Sequence, residues 1–209
     1  MRLTAEEAYN HPWIQQQKDK EFANVEVSKD VFANMENYMN AVQMKRTTLS
    51  LIAARIPEDQ IVLLRQTFTK IDVNGDGQLT IEELIDGLKD CPEIKINLSD
   101  MKSAMEIIDS NQNGLIDYTE FIAACLQSSS YLKESHLKAA FAYFDKDNSG
   151  SISREELRQC LQSDDFMMTE EEINTMLEGV DADGDGEVDY QEFLMMMSDN
   201  PSPSTAPAK

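Results

Sequence analysis

The chain has 209 residues, and its 18 Lys and Arg against 39 Asp and Glu give a formal net charge of −21. This charge argues against a nucleic-acid partner, because a phosphate backbone would be repelled, and it favours metal cations or basic protein segments. The sequence has no run of about 18 apolar residues and no apolar signal-peptide core, so we expect a cytoplasmic location and no membrane contact from this segment.

The N-terminal 25 residues are predicted to be the end of a larger domain. Residues 2–14 have the sequence RLTAEEAYNHPWI, which resembles the last helix of a protein kinase catalytic domain. The residues that carry the match are Arg2, Thr4, Ala5, His11, Pro12 and Trp13. Because the body of such a domain is missing from this sequence, residues 1–25 are expected to be a remnant whose apolar side chains have lost their core.

A basic amphipathic helix is predicted over residues 37–56, within a segment that spans 26–57. Its sequence, NYMNAVQMKRTTLSLIAARI, has three basic residues and no acidic one. Several apolar residues fall on one helical stripe, so the helix either packs as an ordinary element or is the target of an acidic partner. We expect the buried anchors to be Met39, Val42, Leu49 and Ile52, and the cations that face an acidic rim to be Lys45 and Arg46.

A fourfold internal repeat follows. Aspartates open similar twelve-residue segments at positions 72, 109, 145 and 181, and each segment lies between two stretches with an apolar helical stripe. We therefore predict an all-α fold of helix–loop–helix units, here called hands 1 to 4. Hands 1 and 2 are predicted to form one lobe at 58–127 and hands 3 and 4 a second lobe at 128–198, while the Pro- and Ser-rich tail at 199–209 is expected to be disordered.

Oxygen-bearing groups recur at positions 1, 3, 5, 7, 9 and 12 of the four segments. They are Asp72, Asn74, Asp76, Gln78, Thr80 and Glu83 in hand 1, and Asp109, Asn111, Asn113, Leu115, Asp117 and Glu120 in hand 2. They are Asp145, Asp147, Ser149, Ser151, Ser153 and Glu156 in hand 3, and Asp181, Asp183, Asp185, Glu187, Asp189 and Glu192 in hand 4. This is the ligand pattern of the EF-hand, in which position 7 offers its backbone carbonyl and position 12 a bidentate glutamate. We therefore predict four calcium sites.

Two further positions support the EF-hand interpretation. Position 6 is glycine in every loop, where the chain turns sharply around the ion and glycine takes a positive φ without steric cost. Position 8 is apolar in every loop and suits a short strand that pairs neighbouring loops. The position-8 residues are Leu79, Ile116, Ile152 and Val188.

The order of the segments resembles that of a known family. From Glu58 onward the sequence EDQIVLLRQTFTKIDVNGDGQLTIEEL resembles the opening of calmodulin, and eight of the twelve methionines lie in the hands, where thioethers suit a groove for a target helix. A kinase end, a basic helix and four EF-hands in that order resemble the calcium-dependent protein kinases of plants and protists. The resemblance implies that 26–57 is an autoinhibitory junction captured by calmodulin-like lobes. Its partners would be this helix and the kinase domain of the same protein.

The resemblance also bears on catalysis and location. The sequence has no GxGxxG loop, no HRD and no DFG, so this segment is expected to be inert as an enzyme. ATP and magnesium would then bind only in a serine/threonine kinase domain outside this sequence, and a membrane anchor at its N-terminus is compatible with the family. Two alternatives stay open: a free-standing calmodulin-like adaptor for other proteins, and a passive calcium buffer.

Overall fold

The computed structural model describes residues 34–35, 37–39, 41–89, 98–126, 132–161 and 168–198. In this part of the chain, each hand has one helix before its loop and one after it, here called the entering and exiting helices. They are Val62–Ile71 and Ile81–Lys89 in hand 1, Leu98–Ile108 and Tyr118–Cys125 in hand 2, Glu134–Phe144 and Arg154–Leu161 in hand 3, and Glu170–Glu178 and Tyr190–Met197 in hand 4. The predicted all-α class with EF-hand pairs is confirmed.

Within the described residues, 34–35 and 37–39 are helical, and two further helical elements lie between them and hand 1. Gln43–Ala53 is a regular helix, here called the basic helix, and Glu58–Gln60 is a single 3₁₀ turn. Among the described residues, no helix combines the length and the hydrophobicity that crossing a membrane requires. The predicted remnant at 1–25 and the predicted tail at 199–209 lie outside the described residues.

Short antiparallel strands join the loops in pairs. The strands are Gln78–Leu79 (β1) with Ile116–Asp117 (β2), and Ser151–Ser153 (β3) with Glu187–Asp189 (β4). The apolar residues at position 8 lie opposite each other, Leu79 against Ile116 and Ile152 against Val188, and all are buried. Hand 1 therefore pairs with hand 2 and hand 3 with hand 4, as the position-8 pattern predicts.

The chain forms two compact units whose composition does not follow chain order. The first unit contains hands 1 and 2 over Pro57–Ile122. The second contains Asn34–Ile56 together with the chain from Ala123 onward, which includes hands 3 and 4. The basic helix therefore belongs to the unit that comes later in the sequence, although hand 1 follows it directly.

Equivalent aromatic residues form the core of each unit. In the first unit the Phe68 ring meets the rings of Tyr118 and Phe121 edge-on, at centroid distances of 5.2 and 5.3 Å. In the second unit Phe141 meets Tyr190 and Phe193 in the same way, at 5.1 and 5.4 Å. These residues precede and follow paired loops at matching repeat positions, so each core ties an entering helix to the exiting helix of its partner hand.

Candidate calcium sites and the basic helix

Each loop turns tightly around the first aspartate of its hand. One oxygen of this aspartate accepts a hydrogen bond from the N–H of the glycine at position 6. The distances are 3.0 Å from Gly77 to Asp72, 2.7 Å from Gly114 to Asp109, 3.1 Å from Gly150 to Asp145, and 2.9 Å from Gly186 to Asp181. The four glycines have φ between 83 and 95°, in the region where a side chain is strained. The predicted ligand at position 1 is thus held over the turn in every loop.

The glutamate at position 12 connects the two ends of each loop. In hand 4 one oxygen of Glu192 accepts the N–H of Ala182 at 2.7 Å, and the other accepts the N–H of Asp189 at 2.9 Å. The equivalent pair of contacts, from positions 2 and 9, is made by Glu83, Glu120 and Glu156. A carboxylate held from both ends closes the ring of predicted ligands, which is the placement that bidentate binding requires.

Carboxylates converge most closely in hands 3 and 4. The oxygens of Asp145, Asp147 and Glu156 lie within 4.8 Å of one another, and so do those of the three acidic residues at positions 1, 3 and 5 of hand 4. Like charges this close repel each other unless a cation lies between them. In hands 1 and 2 asparagine amides take some of these positions. The donor set is all oxygen in every loop, which fits a hard divalent cation such as calcium.

The basic helix packs against the entering helices of hands 3 and 4, within the second unit. Leu49 and Ile52 are buried, as predicted, and Met39 is half-buried. The prediction missed four further buried side chains of this helix, one of which is Thr47. The other three are Met44, Thr48 and Leu51.

Two predictions for the basic helix are wrong. Val42 is 44 % exposed and so is no anchor. The helix starts only at Gln43, and Val42 before it is extended, so the stripe predicted for a continuous helix changes phase there. Lys45 does not lie at an exposed rim: it is only 4 % exposed, and its Nζ donates to the backbone oxygen of Ser198 at 3.0 Å. Arg46, which is half-buried, donates to the Ala41 oxygen of its own segment.

Comparison with known families agrees with the loop geometry. Residues 62–126 and 134–198 each match the EF-hand domain pair. The chain belongs to the EF-hand family. The first matched range contains the loops joined by β1 and β2, and the second contains the loops joined by β3 and β4.

This EF-hand chain is similar to plant calcium-dependent protein kinases over nearly its whole length. It is 37 % identical to calcium-dependent protein kinase 34 of Arabidopsis thaliana over 97 % of this chain and 38 % of that protein. It is 39 % identical to calcium-dependent protein kinase 15 of Oryza sativa subsp. japonica over 99 % of this chain and 37 % of that protein. The chain thus spans less than two-fifths of these relatives and is homologous to their C-terminal regulatory part.

The glutamates at position 12 of the EF-hands differ in acidity. Burial alone would raise the pKa of Glu83 and Glu156, but hydrogen bonds from Thr80 and Ser153 and from nearby backbone N–H groups outweigh it, so both pKa values lie below the ordinary value. For Glu120, burial and the charge of Asp117 outweigh the hydrogen bonds, and its pKa lies above the ordinary value. Of these three, Glu120 therefore takes up a proton first as the pH falls.

Position 4 of the EF-hand loops has a constrained backbone that the ligand pattern does not predict. This residue has a positive φ in every loop: 71° at Gly75, 57° at Gln112, 59° at Asn148 and 77° at Gly184. Within the described residues, Gln112 and Asn148 are the only non-glycine residues with positive φ. The signal for this was the glycine that hands 1 and 4 share at position 4.

Proposed function

We propose that the chain binds four calcium ions, one in each loop, and that loading changes how hands 3 and 4 hold the basic helix. The observation that carries the proposal is the repeated bridge from the position-12 glutamate to positions 2 and 9, which all four loops make. The contact from position 9 alone is a capping contact of the kind that Thr169 and Glu172 also make, whereas the added contact from position 2 joins the two ends of the loop. Affinities in the sensor range of ~10⁻⁷–10⁻⁵ M are expected.

We further propose that, in the intact protein, this segment switches a serine/threonine kinase domain. The similarity to calcium-dependent protein kinases supports this role, and so does the burial of Leu49 and Ile52 in the second unit. A helix held by hands 3 and 4 is unavailable to a kinase domain, whereas a released helix can inhibit it. Calcium then shifts the balance between these states by binding one of them more tightly.

Calorimetric titration of the chain with calcium tests the four sites. Wild-type protein should bind four ions, and Glu83→Gln, Glu120→Gln, Glu156→Gln and Glu192→Gln should each bind about one fewer, because the amide keeps the size of the side chain but loses its charge. Glu82→Gln is the matched control: Glu82 is exposed, neighbours Glu83 and is not a predicted ligand, so the variant should still bind four. A stoichiometry of two for the wild type contradicts the proposal.

Amide hydrogen exchange separates a sensor from a passive buffer. In a sensor, calcium rearranges the surface of hands 3 and 4 that holds the basic helix, so the exchange protection of this helix should change when calcium is added. The amides of Leu49 and Ile52 are the reporters. A buffer would bind the same ions and leave these amides unchanged. An adaptor for other proteins would lose basic-helix protection only when an external target peptide is added.

A further inference from the structure

Lys45 is the only basic residue buried in the described part of the chain. It is 4 % exposed, and its Nζ lies 3.0 Å from the oxygen of Ser198, 153 residues further along. Removing an ammonium group from water is costly unless the protein supplies acceptors in its place. The contact with Ser198 is therefore a specific docking interaction and not a chance approach of two surface groups.

Ser198 marks the end of the exiting helix of hand 4. Its N–H donates to the oxygens of Leu194 and Met195 at 3.0 and 3.2 Å, and its own backbone is extended, so the chain leaves the helix there. The carbonyls at a helix C-terminus lack partners within the helix and form the negative end of its dipole. Lys45 thus places a positive charge where this helix end favours one.

Arg46 shows that sequence position alone does not produce this contact. It follows Lys45 directly and carries the same charge, but its Nη1 donates to the Ala41 oxygen within its own segment. It is also more exposed than Lys45. Arg46 is therefore a matched cation against which the role of Lys45 can be measured.

The helix that Lys45 contacts also carries a calcium ligand of the proposed function. Glu192 lies in the first turn of Tyr190–Met197, and its oxygens hold positions 2 and 9 of loop 4. A helix of eight residues is about 12 Å long at 1.5 Å per residue. One short rigid element therefore has a predicted calcium ligand at its start and the Lys45 ammonium at its end.

We propose that Lys45 is the positioning residue that couples the calcium site of hand 4 to docking of the basic helix. This rests on the proposed function, in which hand 4 binds calcium and the second unit holds the basic helix. The ammonium recognises the end of the exiting helix, so the basic helix docks in full only when hand 4 holds that helix in place. By linkage, docking in turn strengthens calcium binding at hand 4.

The test compares Lys45→Met with Arg46→Met in the full chain. Methionine keeps a long apolar side chain and removes the charge. During a calcium titration followed by NMR, the amide of Gly186 reports hand 4 and the amide of Gly77 reports hand 1. Lys45→Met should raise the calcium concentration at the Gly186 midpoint at least fivefold and leave the Gly77 midpoint unchanged, since coupling of this kind is typically 5–150-fold. Arg46→Met should leave both midpoints unchanged.

Amide exchange provides a second readout that does not depend on calcium affinity. Lys45→Met should speed exchange at Met44 and Leu49 by about tenfold or more, and Lys45→Arg should restore most of the protection because it keeps a cation. An unchanged Gly186 midpoint, or slower exchange in Lys45→Met, would overturn the inference. The buried ammonium would then destabilise the docked helix, or at least not couple it to calcium binding.

The two proposals fail in different ways. If wild-type Gly186 does not respond to calcium, or if calcium leaves basic-helix protection unchanged, the proposed function fails and Lys45 has nothing to couple. If wild type shows both responses and Lys45→Met shows them equally, only the role of Lys45 fails. An unchanged Gly77 midpoint establishes in every case that hands 1 and 2 remain folded.

Discussion

At the scale of single residues, the hands differ in which residue takes the left-handed conformation at position 4 of the loop. Hands 1 and 4 have glycine in this left-handed conformation, whereas hands 2 and 3 have Gln112 and Asn148. A left-handed backbone costs an ordinary residue about 1–2 kcal/mol, and asparagine tolerates it better than most because its short amide bonds locally. Hand 2 therefore carries the greater strain in its loop.

Gln112→Gly should stabilise the first unit by up to about 1 kcal/mol, because relief of strain exceeds the added freedom of the unfolded chain. Asn148→Gly, the same change in hand 3, should gain less. Urea unfolding of the calcium-free chain provides the measurement. A larger gain from Asn148→Gly than from Gln112→Gly would show that the backbone angle is not the cause.

Tyr118 and Tyr190 occupy the same loop position but differ in the partner of the phenol. The Tyr118 hydroxyl donates to Glu58 at 3.1 Å, and burial together with this carboxylate raises its pKa to about 12. The Tyr190 hydroxyl is buried and has no hydrogen-bond partner in the described part of the chain. An unsatisfied buried hydroxyl costs about 1–3 kcal/mol, whereas a typical hydrogen bond contributes about 1 kcal/mol.

The two Tyr→Phe variants should therefore change stability in opposite directions. Tyr118→Phe removes a hydrogen bond to a charged acceptor and should lower the free energy of unfolding by about 1 kcal/mol or less, since the Glu58 carboxylate is exposed. Tyr190→Phe removes an unsatisfied hydroxyl and should leave it unchanged or raise it. Thermal unfolding of both variants checks this. Equal losses would mean that Tyr190 has an acceptor after all.

At the scale of elements, the basic helix is the place where docking depends on single side chains. Leu49→Asp would bury a carboxylate against apolar neighbours and should undock the helix. Val42→Asp should be nearly neutral or slightly stabilising, because Val42 is exposed and stands at the N-cap, where aspartate is favoured and no side chain now caps the helix. Amide exchange at Ile52 distinguishes the two variants, and comparable losses of protection from both would refute the assignment of faces.

Sequence was informative wherever structure follows from local repetition. The ligand spacing, the glycine at position 6 and the position-8 residues recur four times, so loop geometry and strand pairing were predictable from the pattern. The single helix predicted over 37–56 is interrupted before Gln43, where Val42 is extended, and nothing in the sequence marks this break. Burial of Lys45 depends on a carbonyl 153 residues away, and no local pattern encodes such a contact.

At the scale of the whole molecule, charge and calcium act together. Four calcium ions would bring the net charge of −21 to about −13 and so reduce self-repulsion. Site binding adds a further term, about 2.7 kcal/mol for one site at 100 times its Kd.

Removal of calcium by a chelator should therefore lower the melting temperature markedly. The control is the calcium-free protein in potassium chloride, at the ionic strength of the calcium solution. Potassium chloride should restore only part of the lost melting temperature, since screening weakens repulsion without filling a site. A full recovery in potassium chloride would show that charge alone stabilises the protein. In the variant with all four position-12 glutamates changed to glutamine, calcium chloride and potassium chloride at equal ionic strength should raise the melting temperature equally.

The placement of the basic helix in the second unit also has a consequence during synthesis. Lys45 leaves the ribosome 153 residues before Ser198, a delay of roughly 8–30 s at about 5–20 residues per second. Hands 1 and 2 are completed during that interval, while Leu49 and Ile52 still lack the surface that will cover them. A nascent chain therefore exposes an apolar, positively charged segment beside an acidic folded unit, and chaperone capture of this segment should end only when hand 4 has emerged.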